Sequence, residues 1–595
     1  MSSTARATAS SSALARVVFL VLVAATVGAF FVTQRLKRSG PVVKRLAMPL
    51  YISPNEDGRK DTARITFTLP KGDAVTVDVV DSKDDEVRRL LDDVRLRKGF
   101  HSLDWNGRNN FGVVPKDGSY YVRVTLRREG RAATGPRGMQ LVTKPPRPRI
   151  LSVTPRRLPL NGTRTPVTIR FTGPASPPPV YTVYRTDGGK VRKVATFTGV
   201  RSSHVARWNG LVNGKPAPEG TYAFAVTDEN RALVAGSWPH RLPPKDKRAA
   251  PGTGITISGT TLSSPLEPVQ AGAVVRVDVA GGPRRFRWSL ARVGARKPIA
   301  KGTGGGAQIA FRLPARARTG LYVVTLRGGG RPASAPLGVR AQRSKGKVLV
   351  VLPAITWQGQ NQVDENGNGF PDTLDGGEPV TVTRPFAFGR TPPGFAQTAA
   401  LVRFLDSHGY RYDLTTDVAL ARGHGPVVAG HTGVLFPGSE RWLTPTADAI
   451  VRAFVQGGGR VASFGTDAFR REVRLTGAKL AGPTPPRPIN ALGEGTGALR
   501  IPPAPLVVST DRLGLFGGTD GFVGLFTDFE QETSLPRGAR LLAGAGRDPK
   551  KPAFVAYSLG RGTVIRVGTP AWTSSIDSDA QVARVTQRIW ALLSR

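Results

Sequence analysis

The stretch from Gly430 to Asp467 constrains this chain most. An apolar run, Val434-Leu435-Phe436, enters Pro437-Gly438-Ser439-Glu440-Arg441-Trp442 and then a helical segment and a second apolar run. A strand that breaks at a Gly turn, exposes polar side chains and continues into a helix is how α/β folds present polar groups at the carboxyl edge of a parallel sheet. With 595 residues the chain far exceeds one domain of roughly 100–200 residues, so this α/β unit is one of several. The 70 Gly and 49 Pro, with no helical periodicity in the modules before about position 395, indicate short strands joined by turns in the first half.

Two segments repeat with a period near 100 residues. One carries Asp104-Trp105-Asn106-Gly107 and then Asp117-Gly118-Ser119-Tyr120, the other Arg207-Trp208-Asn209-Gly210 and then Glu219-Gly220-Thr221-Tyr222, with Trp and Tyr fifteen and fourteen residues apart. Alternating Val75-Thr76-Val77-Asp78-Val79-Val80, an Asn-Gly turn and an inward Tyr on a last strand read as a β-sandwich. These residues, with the opening Ser53-Pro54-Asn55-Glu56-Asp57-Gly58, resemble the immunoglobulin-like module of flagellar hook-capping (FlgD-like) proteins over about 48–235. The resemblance implies a spacer or adhesive role, with Trp105 and Trp208 as core anchors. The Pro/Gly-rich run after Leu242 reads as a linker, and Val274–Val279, Phe286–Leu290 and Gly320–Leu326 as strands of a third sandwich.

From Lys347 the pattern becomes α/β. Val348-Leu349-Val350-Val351-Leu352 is a continuous apolar strand of the kind buried on both faces. A helix over 398–408 stopped by Gly409, a helix over Pro445–Gln456 ended by Gly457-Gly458-Gly459, a strand over 460–464, a hairpin over 554–567 and a last helix complete a doubly wound sheet. The expected organisation is 1–40 tail and anchor, 41–147 and 148–241 two Ig-like modules, 242–253 linker, 254–342 third sandwich and 343–595 α/β domain.

The 252–595 arrangement, with Thr356-Trp357-Gln358, Asp413-Leu414-Thr415-Thr416-Asp417 and Ser439-Glu440-Arg441-Trp442, resembles the large (beta) subunit family of N,N-dimethylformamidase, whose C-terminal half is glutamine-amidotransferase-like. That family holds one iron with two tyrosinates and a glutamate, and Glu440 falls at the glutamate's place. The family's Trp-Gln-Ala-Tyr-Asn reads here Trp357-Gln358-Gly359-Gln360-Asn361, and Arg441 replaces the Tyr after the glutamate. A neutral amide does not supply the anionic oxygen a ferric ion prefers, so iron is not expected. Two other readings of the turn stand beside this one. Ser439 is a nucleophile with His431 or His424 as base and Asp467 or Asp417 as orienter, or Ser439 caps the next helix while Glu440 complements its dipole.

Asp364-Glu365-Asn366-Gly367-Asn368-Gly369-Phe370-Pro371-Asp372-Thr373-Leu374-Asp375 has the spacing of a calcium loop. Asp364, Asn366, Asn368, Asp372 and Asp375 offer side-chain oxygens, Phe370 a carbonyl, and Gly369 the sharp turn. The alternative is a plain Asx/Gly turn.

Cysteine is absent, which excludes disulfides, thiolate catalysis and Cys-ligated metals. The net charge of +43 is spread without aromatic interleaving, which argues against nucleic acid and for attraction to anionic cell-wall polymers or lipid headgroups. Val17–Val32 is uncharged between Arg6, Arg16 and Arg35, Lys37, Arg38, and its length favours a retained membrane anchor over a cleaved signal. The heavier positive charge on its C-terminal side points the body to the cytoplasm, whereas the sandwich modules argue for a single-pass protein with its bulk outside. The expected function is display or ligand and partner binding at the cell surface by a degenerate α/β domain. The rival is a metal- or Glu-dependent amide or ester hydrolase using Glu440.

Overall fold

The computed structural model describes residues 11–38, 41–160, 166–242, 250–328, 330–343, 346–546 and 551–595. Helix α1 (Ser11–Arg38) contains a span, Ala15–Thr33, of mean hydropathy 2.4 that is long and apolar enough to cross a bilayer, and no other described residue covers it. A signal sequence meets the same test of length and composition.

Three sandwiches follow with one topology. In each, a three-stranded sheet faces a larger sheet in which a short early strand lies parallel to the module's last strand: Tyr51–Ile52 beside Met139–Leu141, Arg157–Pro159 beside Gly254–Ser258, and Val269–Gln270 beside Ala333–Arg340. Each also carries a Tyr whose hydroxyl donates to the carbonyl four residues upstream: Tyr120 to Lys116, Tyr222 to Pro218 and Tyr322 to Arg318. Trp105 and Trp208 are buried against the first two of these rings, with centroids 5.7 and 5.9 Å apart. The third sandwich is thus a further copy of the module without the Trp.

One boundary moves. Strand Gly254–Ser258 does not open the third sandwich. It completes the second module's sheet, antiparallel to Gly220–Glu229, because its alternating Ile255 and Ile257 fill that module's core. Much of the expected linker, 243–249, lies outside the described residues.

The C-terminal sheet has nine strands: β1 (Val348–Leu352), β2 (Tyr412–Thr416), β3 (Gly433–Phe436), β4 (Arg460–Ser463), β5 (Gly495–Val508), β6 (Phe522–Ser534), β7 (Arg540–Ala545), β8 (Pro552–Leu559) and β9 (Gly562–Val567). Their order is β2-β1-β3-β4-β9-β8-β7-β5-β6. The five strands β2, β1, β3, β4 and β9 run parallel, and the rest extend the sheet antiparallel. Helices α2 (Ala354–Gly359), α3 (Phe395–Ser407), α4 (Asp417–Arg422), α5 (Pro445–Gln456), α6 (Trp572–Ser575) and α7 (Ala580–Leu593) accompany it.

Alternate residues of β1 feed two cores. Val348, Val350 and Leu352 pack with α3 and α7 on one face, while Leu349 and Val351 pack with α4 and α5 on the other. A strand buried on both faces has no polar side, which is why its sequence shows no alternation. The first of these cores continues into the third sandwich through Leu337 and Val339, so sandwich and sheet share one interior. Arg292 of the sandwich pairs with Asp406 after α3's midpoint at 2.6 Å, and Tyr412 donates to the same carboxylate.

Candidate functional site

The parallel strands end together, and a cavity of about 260 Å³ lies over their carboxyl ends. Pro353 after β1, Gly438 and Ser439 after β3, Phe464 to Asp467 after β4 and Pro570 after β9 line it, closed by Gly394 and Gln397 at the start of α3 and Gln360 after α2. Two glycines make it possible. A Cβ on Gly465 would lie 2.1 Å from the Gly438 carbonyl oxygen, and one on Gly438 would lie 2.5 Å from Thr398 Oγ1, so neither turn has room for a side chain.

Ser439 lines this cavity half-buried, and Gln360 stands across it. Arg441 spans one wall. Its Nε donates to Asp467 at 3.0 Å, its Nη1 to Asp375 at 3.0 Å, its backbone N–H to Thr356 Oγ1 at 3.0 Å, and its guanidinium lies over Trp442. Asp467, in the left-handed region at φ +53°, also receives Arg470 and Arg471. Its own N–H donates to Glu530 Oε1 at 2.8 Å.

Glu440 points the other way. It is fully buried, does not line the cavity, and receives no N–H or hydroxyl donor among the described residues. Its carboxyl meets that of Asp417, also fully buried, at the end of β2. Asp417 accepts from the N–H of Ile355 at 3.0 Å and of Val418 at 2.8 Å. Burial pushes Asp417 up to about 7 against the pull of those donors, and burial beside Asp417 pushes Glu440 well above the usual carboxylate range. Two carboxyls this close and this deeply buried are not both ionised at neutral pH, so the pair retains a proton.

The other sequence-derived partners lie elsewhere. His431 pairs with Asp413 at 3.0 Å at the amino end of β2 and β3, the opposite edge from Ser439, and His424 pairs with Glu267 of the third sandwich at 2.9 Å. Neither reaches Ser439. Tyr412 is engaged with Asp406 and Tyr410 stacks on Trp590, both away from the cavity.

In the Asp364 turn, the two Asp364 oxygens accept the N–H groups of Gly367, Asn368 and Gly369, Asn366 Oδ1 accepts from Asn368, and Asn368 Oδ1 accepts from buried Phe370. Asp372 accepts from Glu365, from the Asn366 backbone and from its side-chain amide. Asp375 is turned out to Arg441 and Gln360 at the cavity rim. No group of three or more His, Asp or Glu side chains suited to a metal occurs among the described residues.

Beside the cavity's Asp467 lies a polar cluster with no local mark in the sequence. Fully buried Arg566 of β9 bonds Glu530 at 2.7 Å, Glu494 at 3.2 Å and Glu532. Burial opposes its charge, but the three glutamates outweigh this and raise it, while burial pushes Glu532 up to about 8. Glu530 thereby links Arg566 to Asp467 and the cavity.

With this geometry in view, two stretches are similar to known families. The FlgD Ig-like domain model matches residues 53–130, and the N,N-dimethylformamidase beta subunit-like, C-terminal model matches 306–490, which straddles the third sandwich and the sheet and includes Gln360, Ser439 and Glu440. No curated protein matches the chain. Among solved structures, the beta-galactosidase from Bacillus circulans sp. alkalophilus is 15% identical over 42% of this chain, with TM-score 0.26, and the chain spans 31% of its length. The mmIFT52 N-terminal domain is 11% identical, matching 33% of this chain and 91% of that one at TM-score 0.24. Scores this low carry no weight for the site.

Proposed function

We propose that the chain is a membrane-anchored, extracytoplasmic surface protein whose Ig-like modules carry a glutamine-amidotransferase-like α/β domain, and that this domain binds a small polar ligand or partner at Ser439 without turning it over. The observation that carries the reading is the direction of Glu440: its carboxyl is sealed against Asp417 instead of facing the cavity. The cavity then offers hydroxyl, amide and guanidinium groups but no His base beside Ser439. Positioned donors beside a carboxylate, Asp467, that is already paired with Arg441, Arg470 and Arg471 suit binding better than acyl transfer.

The match over 306–490 favours a second reading, hydrolysis of an amide or ester with Glu440 as base or metal ligand. It requires Glu440 to leave Asp417. One experiment separates the two: full-length protein, purified in detergent, is assayed for iron and for hydrolysis of small amides. The binding reading expects a colourless protein whose melting temperature rises with formamide or N,N-dimethylformamide, without their consumption, and a Ser439→Trp variant that no longer responds. About one iron per chain, lost in Glu440→Ala together with turnover, would replace it with the hydrolase.

For the turn at Asp364, calcium is the ion the donor set suits: hard oxygens from Asp364, Asn366, Asn368 and Asp372 with the Phe370 carbonyl, Asp375 being engaged elsewhere. Its role would be structural.

A further inference from the structure

The third sandwich ends in a concave surface of about 890 Å³ lined by Arg284, Arg285, Arg287 and Arg327 and containing no Asp or Glu. All four arginines are exposed, and none of their side chains has a hydrogen bond or ion pair among the described residues. Arg287 and Arg327 face each other directly on adjacent antiparallel strands. Like charges in that position destabilise a sheet, and here no acid offsets them.

The floor is built for close approach. A Cβ on Gly305 would lie 2.4 Å from the Arg284 carbonyl oxygen, and one on Gly304 2.7 Å from the Phe286 ring, so the Arg284 backbone and the Phe286 ring rest directly on these two glycines. Four guanidinium groups are thereby gathered around one hollow, each with its fork of donors unused among the described residues, the geometry that suits phosphate oxygens. Phe286 is buried, leaving no exposed ring in the hollow on which a nucleobase could stack. Two modules separate it in sequence from α1, which favours a polymer in solution over a lipid headgroup.

We infer that this hollow is a binding site for an extended polyanion of phosphodiester-linked units, of the kind that extracellular wall polymers present. The inference rests on the surface-protein reading only for where such a polymer is met; the binding itself is tested in solution, whatever the protein's location.

The test uses the full chain in neutral detergent and fluorescent poly(glycerol phosphate) as probe. Binding should weaken steeply with salt. The Arg287→Gln/Arg327→Gln double variant should lose about tenfold in affinity, and its plot of log affinity against log salt should flatten by about one per arginine removed. Its melting temperature should hold or rise, since a like-charge pair is relieved, so lost binding would not reflect unfolding. The control, Arg201→Gln/Arg207→Gln, removes the same charge from exposed positions of the second module and should bind nearly as the parent does. Equal losses in both variants would overturn the proposal in favour of bulk charge. So would binding of single-stranded DNA or phosphatidylglycerol vesicles in place of the glycerol phosphate polymer.

Discussion

Glu440 and Asp417 bring two carboxyls into one place without water, and their titration is a handle on the site. Both have folded-state values raised above the unfolded ones, Asp417 to about 7. A raised carboxyl adds stability that is fully present below the unfolded value, near 4, and is lost as pH rises through the folded value. The pair should therefore make the C-terminal domain lose stability between about pH 4 and pH 8, by on the order of a few kcal/mol. Glu440→Gln keeps a donor toward Asp417 and removes the shared proton. Urea midpoints for the variant should fall less steeply over that range than the parent's, since only buried Asp417 still titrates, and at pH 8 should be at least equal to the parent's. A parent whose midpoint climbs from pH 5 to pH 8, with no difference in the variant, would mean that the two groups do not share a proton.

At the scale of elements, two turns of the same spelling join the modules. Asn55-Glu56-Asp57-Gly58-Arg59-Lys60-Asp61-Thr62 and Asn366-Gly367-Asn368-Gly369-Phe370-Pro371-Asp372-Thr373 share the Asn-x-Asp/Asn-Gly-x-x-Asp-Thr pattern, and each closes on its last Asp through backbone N–H groups. The first reaches the second module through Arg59–Glu229 at 2.7 Å. The second inserts between Gly254 and Thr186, with the Gly367 carbonyl accepting from Gly254 and the Gly369 carbonyl from Thr186. Gly369 has φ +85°, and a Cβ there would lie 2.3 Å from the Tyr222 carbonyl oxygen. Gly369→Ala should cost about 2–4 kcal/mol and loosen this joint, read as new protease cleavage around it. Calcium should raise the melting temperature of the full chain, and Asp364→Ala and Asp372→Ala should remove that rise and the calorimetric heat of binding. Identical melts in calcium and chelator would leave a plain Asx turn.

How far the sequence foretells these elements depends on whether their signals are local. Helix α5 runs from Pro445 to Gln456 as read, because Thr444 caps it, Pro445 suits its first turn and the glycines after Gln456 stop it. The carboxyl-edge turn at Ser439 was legible for the same reason. Strand β5 was not, since Pro502, Pro503 and Pro505 interrupt its alternation and the pairing shifts register around Ala504. The kinship of the third sandwich was hidden by its missing Trp, although Gly320-Leu321-Tyr322 repeats the signal at Gly118 and Gly220. Glu440's direction and the Arg566 cluster depend on which side chains the sheet brings together across 23 to 72 residues of chain, which no local pattern carries.

For the whole molecule, the ends behave differently. If α1 is an anchor, the purified protein has an intact mass that includes Val17–Val32, and an N-terminus near Phe30 would instead mark a cleaved signal. At the other end the third sandwich and the nine-stranded sheet share one apolar interior, joined further by the Arg292–Asp406 pair. Elements that bury one another's core cannot unfold separately without exposing it. Leu337 is fully buried in the sandwich half of that interior, and truncating it to Ala should cost about 2–5 kcal/mol. The first module has its own core and meets the second through exposed contacts, so it forms a separate unit. Calorimetry of Leu337→Ala should then show one lowered transition carrying the enthalpy of both sandwich and sheet, with the first module's melting unmoved. A sandwich transition that drops alone, leaving the sheet at its original temperature, would show that the shared interior does not couple them.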